Sequence, residues 1–489
     1  MLFNSLEFAV FLPLVTIAFY LLPKERRWAL LLAASYVFYC WWSVPYGLLL
    51  LLVSVVDWRV ALAVQDAPDV AARRRWLLVS LAVNIGVLFT FKYFNLFNDT
   101  WAWLVQSATG LTWPVPRSSL LLPIGISFHT FQSMGYTIDV YRGQYKAERH
   151  PGMFLLYVAY FPQLVAGPIE RGDRLLPQLH APVDFDWARI TSGLRLAAWG
   201  LFKKVVVADR LAVLADTVYR EPQAFSGFAL IVGTLFFGYQ LYCDFSGYSD
   251  IAVGTARMLG VDMMRNFEQP FASKSLPEFW ARWHVSLSNW LRDYVYKSLG
   301  AARVSFPRWV LNIGVVFAIS GLWHGASWTY VAWGLMFATL MVLDRVTSPL
   351  RTAFFRRTRI DQVRWLRNGI AIGSTFALYL GMVVMFRATT FQDALWVYTH
   401  VGYGWAHFGE LEALLLFLQR VHLDLPTFVY CLALMPLVEF VEWFRRDPGR
   451  VKRWAARPTA VRWGLDYAVV FAIALLGHWS ETPFVYFQF

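Results

Sequence analysis

The stretch 318–330 reads AISGLWHGASWTY and places one histidine, His324, between two long apolar segments. These segments are about 14 and 16 residues long, shorter than the roughly 20 residues that a helix needs to cross the hydrocarbon core of a bilayer. The Trp-His-Gly turn is therefore predicted to lie within the thickness of the membrane. Burial there favours the neutral imidazole, which is able to accept a proton near neutral pH. The alternative is a packing histidine bonded to a backbone carbonyl group.

The chain around this stretch has the composition of a membrane protein. Of its 489 residues, 58% are hydrophobic and 16% are charged, whereas soluble domains are roughly 45–50% apolar. Tryptophan and tyrosine cluster at the ends of the apolar runs, as they do at lipid–water boundaries. We therefore expect an all-α polytopic membrane protein in which residues 1–489 form a single integral-membrane domain. The predicted spans are 8–22, 28–42, 46–56, 76–91, 119–138, 190–206, 225–243, 309–322, 328–343, 368–386, 427–441 and 464–479.

The net charge of +12 has two explanations. Basic residues are concentrated in alternate connections, which the positive-inside rule assigns to the cytoplasm. These residues either orient the protein in the membrane and contact anionic lipid, or they capture an anionic substrate such as an acyl-CoA. The connections 98–117 and 389–425 and both termini are then predicted to face outward. A chain with so little soluble surface is not expected to bind nucleic acid. The basic connections are 24–27, 73–75, 142–149, 345–367 and 445–462.

Other kinds of catalytic site have no signature in the sequence. Cys40, Cys243 and Cys431 lie in apolar runs without paired spacing, which argues against disulfides and thiolate metal sites. The chain lacks a His-Glu-x-x-His zinc helix, a Gly-x-Ser-x-Gly elbow and a phosphate-binding glycine loop. Histidine remains as the candidate base, and we expect no metal and no bound cofactor.

Two segments, about 141–189 and 244–330, interrupt the regular alternation of spans. The first contains YFPQLVAGPIER at 160–171, in which proline and glycine exclude a continuous helix. A re-entrant segment lining an internal cavity is predicted, because such backbone needs partners that lipid does not supply. Glu170 and Arg171 are expected to pair locally. His129, in the helix before this segment, is expected to be a packing residue.

The second segment begins with YCDFSGYSDIAVG at 242–254. Asp244 and Asp250 flank a Ser-Gly-Tyr-Ser sequence that is predicted to be a turn at the end of a span. Carboxylates so near the membrane are costly unless they are paired or hydrated. These two either line a polar passage or hold the turn through bonds to backbone amides.

The same segment continues with SKSLPEFWARWHVSLSNWLRDYVYKSLG at 273–300. Ser275 and Glu278 have the spacing of a capping box, so a helix is predicted to begin there. One amphipathic helix is expected, with His284 in its aromatic stripe and Ser286 and Asn289 on other faces. His284 lies either at the level of the lipid headgroups or in an internal site. The stripe consists of Trp280, Trp283, His284, Leu287, Leu291 and Tyr294.

Taken together, LVAGPIER (164–171), YCDFSGYSDIAVG (242–254), FWARWHVSLSNWLRDYVY (279–296) and GLWHGASWTYVAWG (321–334) resemble the membrane-bound O-acyltransferases. MLFNSLEFAVFLPL (1–14), ASYVFYCWW (34–42) and PFVYFQF (483–489) are similar to the bacterial branch typified by the membrane subunit of alginate O-acetylation. The resemblance implies a bundle of about 11–12 transmembrane helices, with re-entrant and amphipathic segments around an internal tunnel.

The resemblance also implies acyl transfer, with His324 and His284 as the catalytic pair. His324 is predicted to be the base, and His284 to orient the donor or stabilise the oxyanion. The two imidazoles are expected to face one cavity, on the order of 10 Å apart or less. Further candidates for the tunnel and substrate contacts are Trp323, Gly325, Asn289, Ser286, Asp244 and Asp250.

The implied reaction moves an acetyl group from cytoplasmic acetyl-CoA across a bacterial inner membrane to an extracytoplasmic polysaccharide hydroxyl, commonly through a periplasmic hydrolase-like partner. Alginate-type O-acetylation is favoured because both ends of the chain match that branch. Peptidoglycan, cellulose and carrier-bound D-alanine stay open as substrates of relatives. A polytopic secondary transporter is the alternative from another class, although the sequence lacks the two related halves typical of transporters. A scaffold of an export complex would leave both histidines without a role.

Overall fold

The computed structural model describes residues 1–165, 167–405, 410–479 and 484–485, and helices are the only regular secondary structure among them. The first eleven α-helices are α1 Leu6–Leu21, α2 Arg27–Cys40, α3 Val44–Asp66, α4 Val70–Leu88, α5 Phe94–Thr109, α6 Ile126–Tyr141, α7 Pro151–Ala159, α8 Phe161–Leu164, α9 Gly172–His180, α10 Trp187–Leu201 and α11 Asp209–Arg220. The others are α12 Phe228–Met258, α13 Leu276–Trp280, α14 Val285–Trp290, α15 Phe306–His324, α16 Trp328–Arg357, α17 Arg364–Arg387, α18 Phe391–His400, α19 Leu411–Arg420, α20 Leu425–Arg446, α21 Pro448–Ala455 and α22 Thr459–Leu476. Three π-helical segments adjoin them, at Phe89–Tyr93, Phe202–Ala208 and Leu291–Tyr296.

The described part of the chain has eight helices that are long and apolar enough to cross a membrane. They confirm a multi-pass, all-α membrane protein, and each of the twelve predicted apolar runs overlaps a helix. The count is below 11–12 because α1, α2 and α6 have only 14 to 16 residues, and because charged residues interrupt the apolar run of α10, which continues through the π-helical segment into α11. The eight are Val44–Asp66, Val70–Thr109, Phe228–Met258, Phe306–His324, Trp328–Arg357, Arg364–Arg387, Leu425–Arg446 and Thr459–Leu476.

The chain folds into two compact units, each discontinuous in sequence. The first contains Met1–Ala197, Ser249–Arg265 and Gly325–Ser327, and the second contains Ala198–Tyr248, Asn266–His324 and the described residues from Trp328 onward. The single integral-membrane domain stays a prediction. Of the C-terminal motif 483–489, only residues 484 and 485 are among the described residues.

In the first unit, α3, α4 and α6 pack against one another around a buried polar cluster. Asp57 accepts hydrogen bonds from the Ser80 hydroxyl, at 2.8 Å, and from the Asn84 amide. All three side chains are buried, so the bonds compensate for the loss of water. His129 lies within α6 and is buried.

The interruption predicted at 160–171 is confirmed. Here α7 ends at Ala159, the single turn α8 contains Pro162, and α9 begins at Gly172. Glu170 pairs with Arg174, at 3.7 Å, and also accepts the backbone N–H of Met264. The expected pair with Arg171 is replaced because Arg174 lies one helical turn ahead, where i and i+4 side chains meet. Whether this segment is re-entrant stays a prediction.

The turn predicted between Asp244 and Asp250 does not form, because α12 runs unbroken from Phe228 to Met258. The glycine in this sequence serves helix packing. A β-carbon at Gly247 would come within 2.7 Å of the Gly200 carbonyl oxygen, so only glycine permits this approach. Small residues at such crossings are typical of membrane helices, where close backbone packing drives association. The Ser-Gly-Tyr-Ser sequence is therefore a packing site in a continuous helix.

In the second unit, α15 and α16 form the most extensive helix pair of the molecule and set the position of the Trp-His-Gly turn. A β-carbon at Gly321 would overlap the carbonyl oxygen of Tyr330, and one at Gly334 would overlap that of Phe317. The two glycines thus allow the backbones to touch on both sides of the turn. His324 is the last residue of α15, and its position depends on this crossing.

Candidate active site

The segment that carries His284 is broken at that residue. α13 begins after Ser275, whose hydroxyl accepts the Glu278 N–H at 3.3 Å, as the capping pattern predicted. The prediction of one continuous amphipathic helix is wrong. α13 ends at Trp280, α14 begins at Val285, and His284 between them has a φ of 44°, in the left-handed region that non-glycine residues seldom adopt.

The helix breaks here because backbone groups on both sides of His284 form hydrogen bonds with an irregular segment nearby, and not with the adjoining turns of a helix. The Val285 N–H donates to the Asn266 carbonyl at 2.9 Å, and the Glu268 N–H donates to the Arg282 carbonyl at 3.0 Å. These bonds anchor both sides of His284 to the segment 266–268. Left-handed backbone of this kind costs free energy and is concentrated at functional sites.

Asn266 determines which nitrogen of His284 carries the proton. The Asn266 side-chain oxygen lies 3.1 Å from Nδ1 of His284 and accepts the Ser286 N–H at 3.2 Å and the Ser286 hydroxyl at 3.0 Å. A backbone N–H only donates, so the shared amide atom is the oxygen and Nδ1 of His284 must be the donor. In the neutral ring, Nε2 therefore carries no hydrogen and is a hydrogen-bond acceptor.

Burial keeps this imidazole neutral. His284 lies outside the eight candidate membrane helices, is fully buried, and has a pKa that burial lowers to about 3. Because its one N–H is directed to Asn266, the neutral ring has no further N–H for an oxyanion. Of the two roles predicted for His284, this tautomer favours orientation of the donor over oxyanion stabilisation.

Aromatic rings frame both histidines. Phe245 meets the His284 ring edge-on, with centroids 4.7 Å apart, and Trp323 meets it at 5.2 Å. His324 is 3% exposed, and its ring meets those of Trp323 at 5.0 Å and Trp333 at 4.9 Å. Both imidazoles are thus fixed in orientation by packing.

His284 and His324 both contact the indole of Trp323. The separations of 5.2 and 5.0 Å limit the distance between the imidazole centroids to about 10 Å, the predicted reach for groups that act on one reactant. The contact through Trp323 joins the two histidines. That both imidazoles face one cavity stays a prediction.

A small cavity lies beside His324. Its volume of about 10 Å³ holds about one water molecule. Its wall is almost wholly aromatic and aliphatic, and His324 contributes the one imidazole in the described lining. The lining residues are Leu241, Phe279, Trp280, Trp283, His324, Trp333, Phe337, Tyr379, Val383 and Phe386.

Of the remaining predicted site residues, Ser286 supports His284, whereas Asn289 and Gly325 stay candidates. Ser286 is buried and bonds to Asn266, so it supports His284. Asn289 is half-buried on α14, and Gly325 is buried directly after α15. Their roles in substrate contact stay predictions.

Asp244 belongs to a charge cluster in the core of the second unit. Its carboxylate lies 2.9 Å from the Lys204 ammonium group and accepts the Val485 N–H at 2.7 Å. Lys204 also pairs with Asp209 at 2.7 Å. Asp244 is thereby fixed in a structural network, while Asp250 lies farther along α12 and is half-buried.

Sequence reasoning missed Asn266. It lies 18 residues before His284 in an irregular segment, so no helical periodicity connects the two. It also missed Trp333, which lies in the GLWHGASWTYVAWG motif and whose ring meets that of His324. Among the described residues, no group of three or more histidine, cysteine or carboxylate side chains is arranged to hold a metal ion. The absence of a metal from the reaction stays a prediction.

Comparison with known proteins identifies the family. The model of the membrane-bound O-acyltransferase family matches residues 150–388, which include both histidines. A probable alginate O-acetylase of Azotobacter vinelandii is 40% identical over 401 residues, covering 81% of this chain and 77% of the relative. This chain belongs to the membrane-bound O-acyltransferase family. The resemblance inferred from the motifs is confirmed, and this membrane-bound O-acyltransferase is a multi-pass enzyme.

Two further relatives show how far the similarity extends. A probable alginate O-acetylase of Pseudomonas putida is 35% identical over 511 residues, covering 100% of both chains. A peptidoglycan O-acetyltransferase of Helicobacter pylori is 32% identical over 429 residues, covering 81% of this chain and 78% of the relative. An enzyme of this family is neither a secondary transporter nor an export scaffold, so both alternatives are set aside.

Proposed function

We propose that this membrane-bound O-acyltransferase transfers an acetyl group from cytoplasmic acetyl-CoA to a hydroxyl of an extracytoplasmic polysaccharide. The observation that carries the proposal is the position of His324. It is a buried imidazole at a helix end, beside a cavity of about 10 Å³, and its ring and that of His284 both contact the indole of Trp323. Buried imidazoles whose orientation is fixed by packing are suited to general base catalysis.

The proposed reaction begins with proton transfer to His324. The acceptor hydroxyl oxygen attacks the thioester carbonyl carbon while His324 takes the hydroxyl proton, and a tetrahedral intermediate with one negative oxygen forms. The intermediate then collapses, the carbon–sulfur bond breaks, and the thiolate takes the proton from the imidazolium. The products are one O-acetyl ester and one CoA thiol, so all atoms and charges balance.

His284 acts in this scheme as a positioning group. Its bond to Asn266 presents Nε2 as an acceptor, and its rigid contact with Trp323 couples its orientation to the surroundings of His324. The dry aromatic surroundings protect the thioester from hydrolysis, because water has little room beside His324.

An alginate-type exopolysaccharide is the proposed acceptor. The support is similarity over the full chain to a probable alginate O-acetylase. The proposed setting is a bacterial inner membrane, with a periplasmic partner that receives the acetyl group or delivers the glycan. Peptidoglycan is the second candidate, supported by the Helicobacter pylori relative.

The test is acetyl transfer by purified protein in detergent or proteoliposomes. Acetyl-CoA labelled in the acetyl group is supplied with alginate oligosaccharide or with peptidoglycan fragments, each with and without periplasmic extract. Release of CoA thiol and labelling of the glycan are measured together. We expect both in the wild type with alginate and neither in His324→Ala. CoA release and labelling with peptidoglycan alone would reassign the acceptor, and failure to consume acetyl-CoA under every condition would overturn the proposal.

A further inference from the structure

The proposed reaction requires hydrogen-bond donors for the carbonyl oxygen as it becomes negative. Such donors are a major source of catalysis in acyl transfer. His324 is the base, and the N–H of His284 is directed to Asn266. The oxyanion donors must therefore come from other groups beside His324.

Two tryptophans in the wall of the cavity beside His324 could supply these donors. The indole nitrogens of Trp280 and Trp333 are buried, and neither N–H meets an acceptor among the described residues. A buried donor without a partner is destabilising, because it has lost its hydrogen bonds to water and gained none in the fold. Buried donors without acceptors are rare in folded proteins, and here two lie beside one candidate base. Groups of this kind call for a functional explanation.

Two other largely buried indoles of the protein, those of Trp309 and Trp199, show the usual behaviour. The Trp309 N–H donates to the Tyr296 hydroxyl at 3.1 Å, and the Trp199 N–H donates to the Glu442 carboxylate at 3.0 Å. Both residues are largely buried, as Trp333 is. Burial alone therefore does not leave an indole N–H of this fold without an acceptor.

The geometry brings the two donors together at the cavity. The rings of Trp280 and Trp333 lie 6.1 Å apart, and the Trp333 ring meets that of His324 at 4.9 Å. Phe337 contacts both indoles, at 5.0 and 5.1 Å, and holds them in place. The cavity has room for about one water molecule, which is the size of a carbonyl oxygen.

We infer that the indole N–H groups of Trp280 and Trp333 form the oxyanion hole of this enzyme. This inference rests on the proposed acetyl transfer and adds the residues that bind the developing charge. The thioester carbonyl oxygen occupies the cavity, and both N–H groups donate to it when the acceptor oxygen bonds to the carbonyl carbon. When the carbon–sulfur bond breaks, the oxygen returns to a neutral carbonyl and the proton on His324 leaves with the thiol.

The test compares three tryptophan-to-phenylalanine variants, each of which loses one indole N–H and keeps an aromatic ring. Trp280→Phe and Trp333→Phe lose the inferred donors, and Trp309→Phe is the matched control because its N–H already has an acceptor in the fold. The first two are expected to lose about 10²-fold in kcat, as when one oxyanion donor is removed, with little change in the KM for acetyl-CoA. The control is expected to keep its kcat.

Thermal unfolding separates this role from a structural one. Removing an N–H without an acceptor forfeits no hydrogen bond, whereas Trp309→Phe forfeits the bond to Tyr296. We therefore expect the control to show the larger loss of Tm and the two cavity variants to show the larger loss of kcat. The inference is overturned if the cavity variants keep wild-type kcat, or if their kcat falls only in proportion to a loss of folded protein.

The wild type and His324→Ala are measured in the same series. If the wild type does not turn over acetyl-CoA, the proposed function itself fails. If the wild type is active, His324→Ala is inactive and both cavity variants are as active as the wild type, the oxyanion hole alone is refuted and acetyl transfer stands.

Discussion

The side-chain oxygen of Asn266 lies 3.1 Å from Nδ1 of His284 and holds that nitrogen in its protonated form. The assignment follows from Ser286, whose backbone N–H donates to the same oxygen. One amide therefore fixes the tautomer of a buried histidine at a break between two helices. Orienting groups of this kind determine which nitrogen is available for chemistry.

Replacing Asn266 with alanine is expected to lower kcat by about 10–100-fold, by analogy with the loss of groups that orient metal-binding histidines. The KM for acetyl-CoA is expected to change little, because Asn266 does not touch the donor in this account. Asn266→Asp keeps an oxygen that accepts from Nδ1 and is expected to retain more activity than Asn266→Ala. Steady-state kinetics of the purified variants measure both constants.

The matched control for Asn266 is Asn312→Ala. Asn312 is also buried, but its amide donates to the Leu299 and Ala301 carbonyls and so stabilises a turn. It is expected to lose stability and to keep its kcat per folded molecule. Equal kcat values in the two alanine variants would show that Asn266 has no specific role in catalysis.

The neutral state of His284 predicts a particular dependence of stability on pH. Burial lowers its pKa in the folded protein to about 3, whereas the unfolded chain binds a proton near the ordinary value of about 6.5. The contribution of His284 to stability is therefore complete above about pH 6.5 and is lost as the pH falls toward 3, by up to about 1.4 kcal/mol for each pH unit. Thermal unfolding between pH 7 and pH 4.5 measures the effect.

The comparison for this pH series is His284→Gln, which is uncharged throughout the range. The wild type is expected to lose Tm more steeply than the variant below pH 6.5. Parallel curves for the two proteins would show that His284 does not stay neutral on folding.

The crossing of α15 and α16 is expected to control the position of His324. Gly321→Ala places a methyl group against the Tyr330 carbonyl and forces the helices apart, so both Tm and kcat should fall. Gly314→Ala is the control on the same helix, because no atom lies within 4 Å of its new methyl group. It is expected to be neutral or stabilising by up to about 1 kcal/mol, since alanine is the better helix former. A Gly321→Ala enzyme with full activity would show that His324 does not depend on this crossing.

Capture of CoA phosphates by the basic connections predicts a salt dependence. Raising the ionic strength screens these charges, so the KM for acetyl-CoA is expected to rise. Acetyl-pantetheine has the thioester without the nucleotide phosphates, and its KM is expected to be independent of salt. If the two donors respond alike, the positive charge serves topology and lipid contact alone.

The sequence was most informative where one physical property acts alone. Apolar length and aromatic ends located a helix at each of the twelve predicted spans, because transfer into lipid depends on composition. The sequence also indicated His324 and His284, since imidazoles in apolar or amphipathic segments are exceptional. The start of α13 at Ser275 followed from a local capping pattern.

The failures concern contacts between segments that are distant in the chain. The sequence around Gly247 has the residues of a turn, but its glycine accommodates the Gly200 carbonyl of another helix. The periodicity of 280–294 favours one helix, yet hydrogen bonds from the segment 266–268 break it at His284. Asn266 and Trp333 gain their importance from the same long-range packing, which no local pattern encodes.

The most direct test of the account is the rate of acetyl-CoA consumption by His324→Ala, measured as CoA thiol release by purified protein with alginate oligosaccharide and periplasmic extract. Membrane insertion and Tm are verified in parallel, so that a folded variant is compared with a folded wild type. The account predicts a loss of about 10²–10⁴-fold in kcat, the contribution of a general base. A folded His324→Ala enzyme that keeps more than about a tenth of the wild-type rate, far above that range, would contradict the role of His324 as the base.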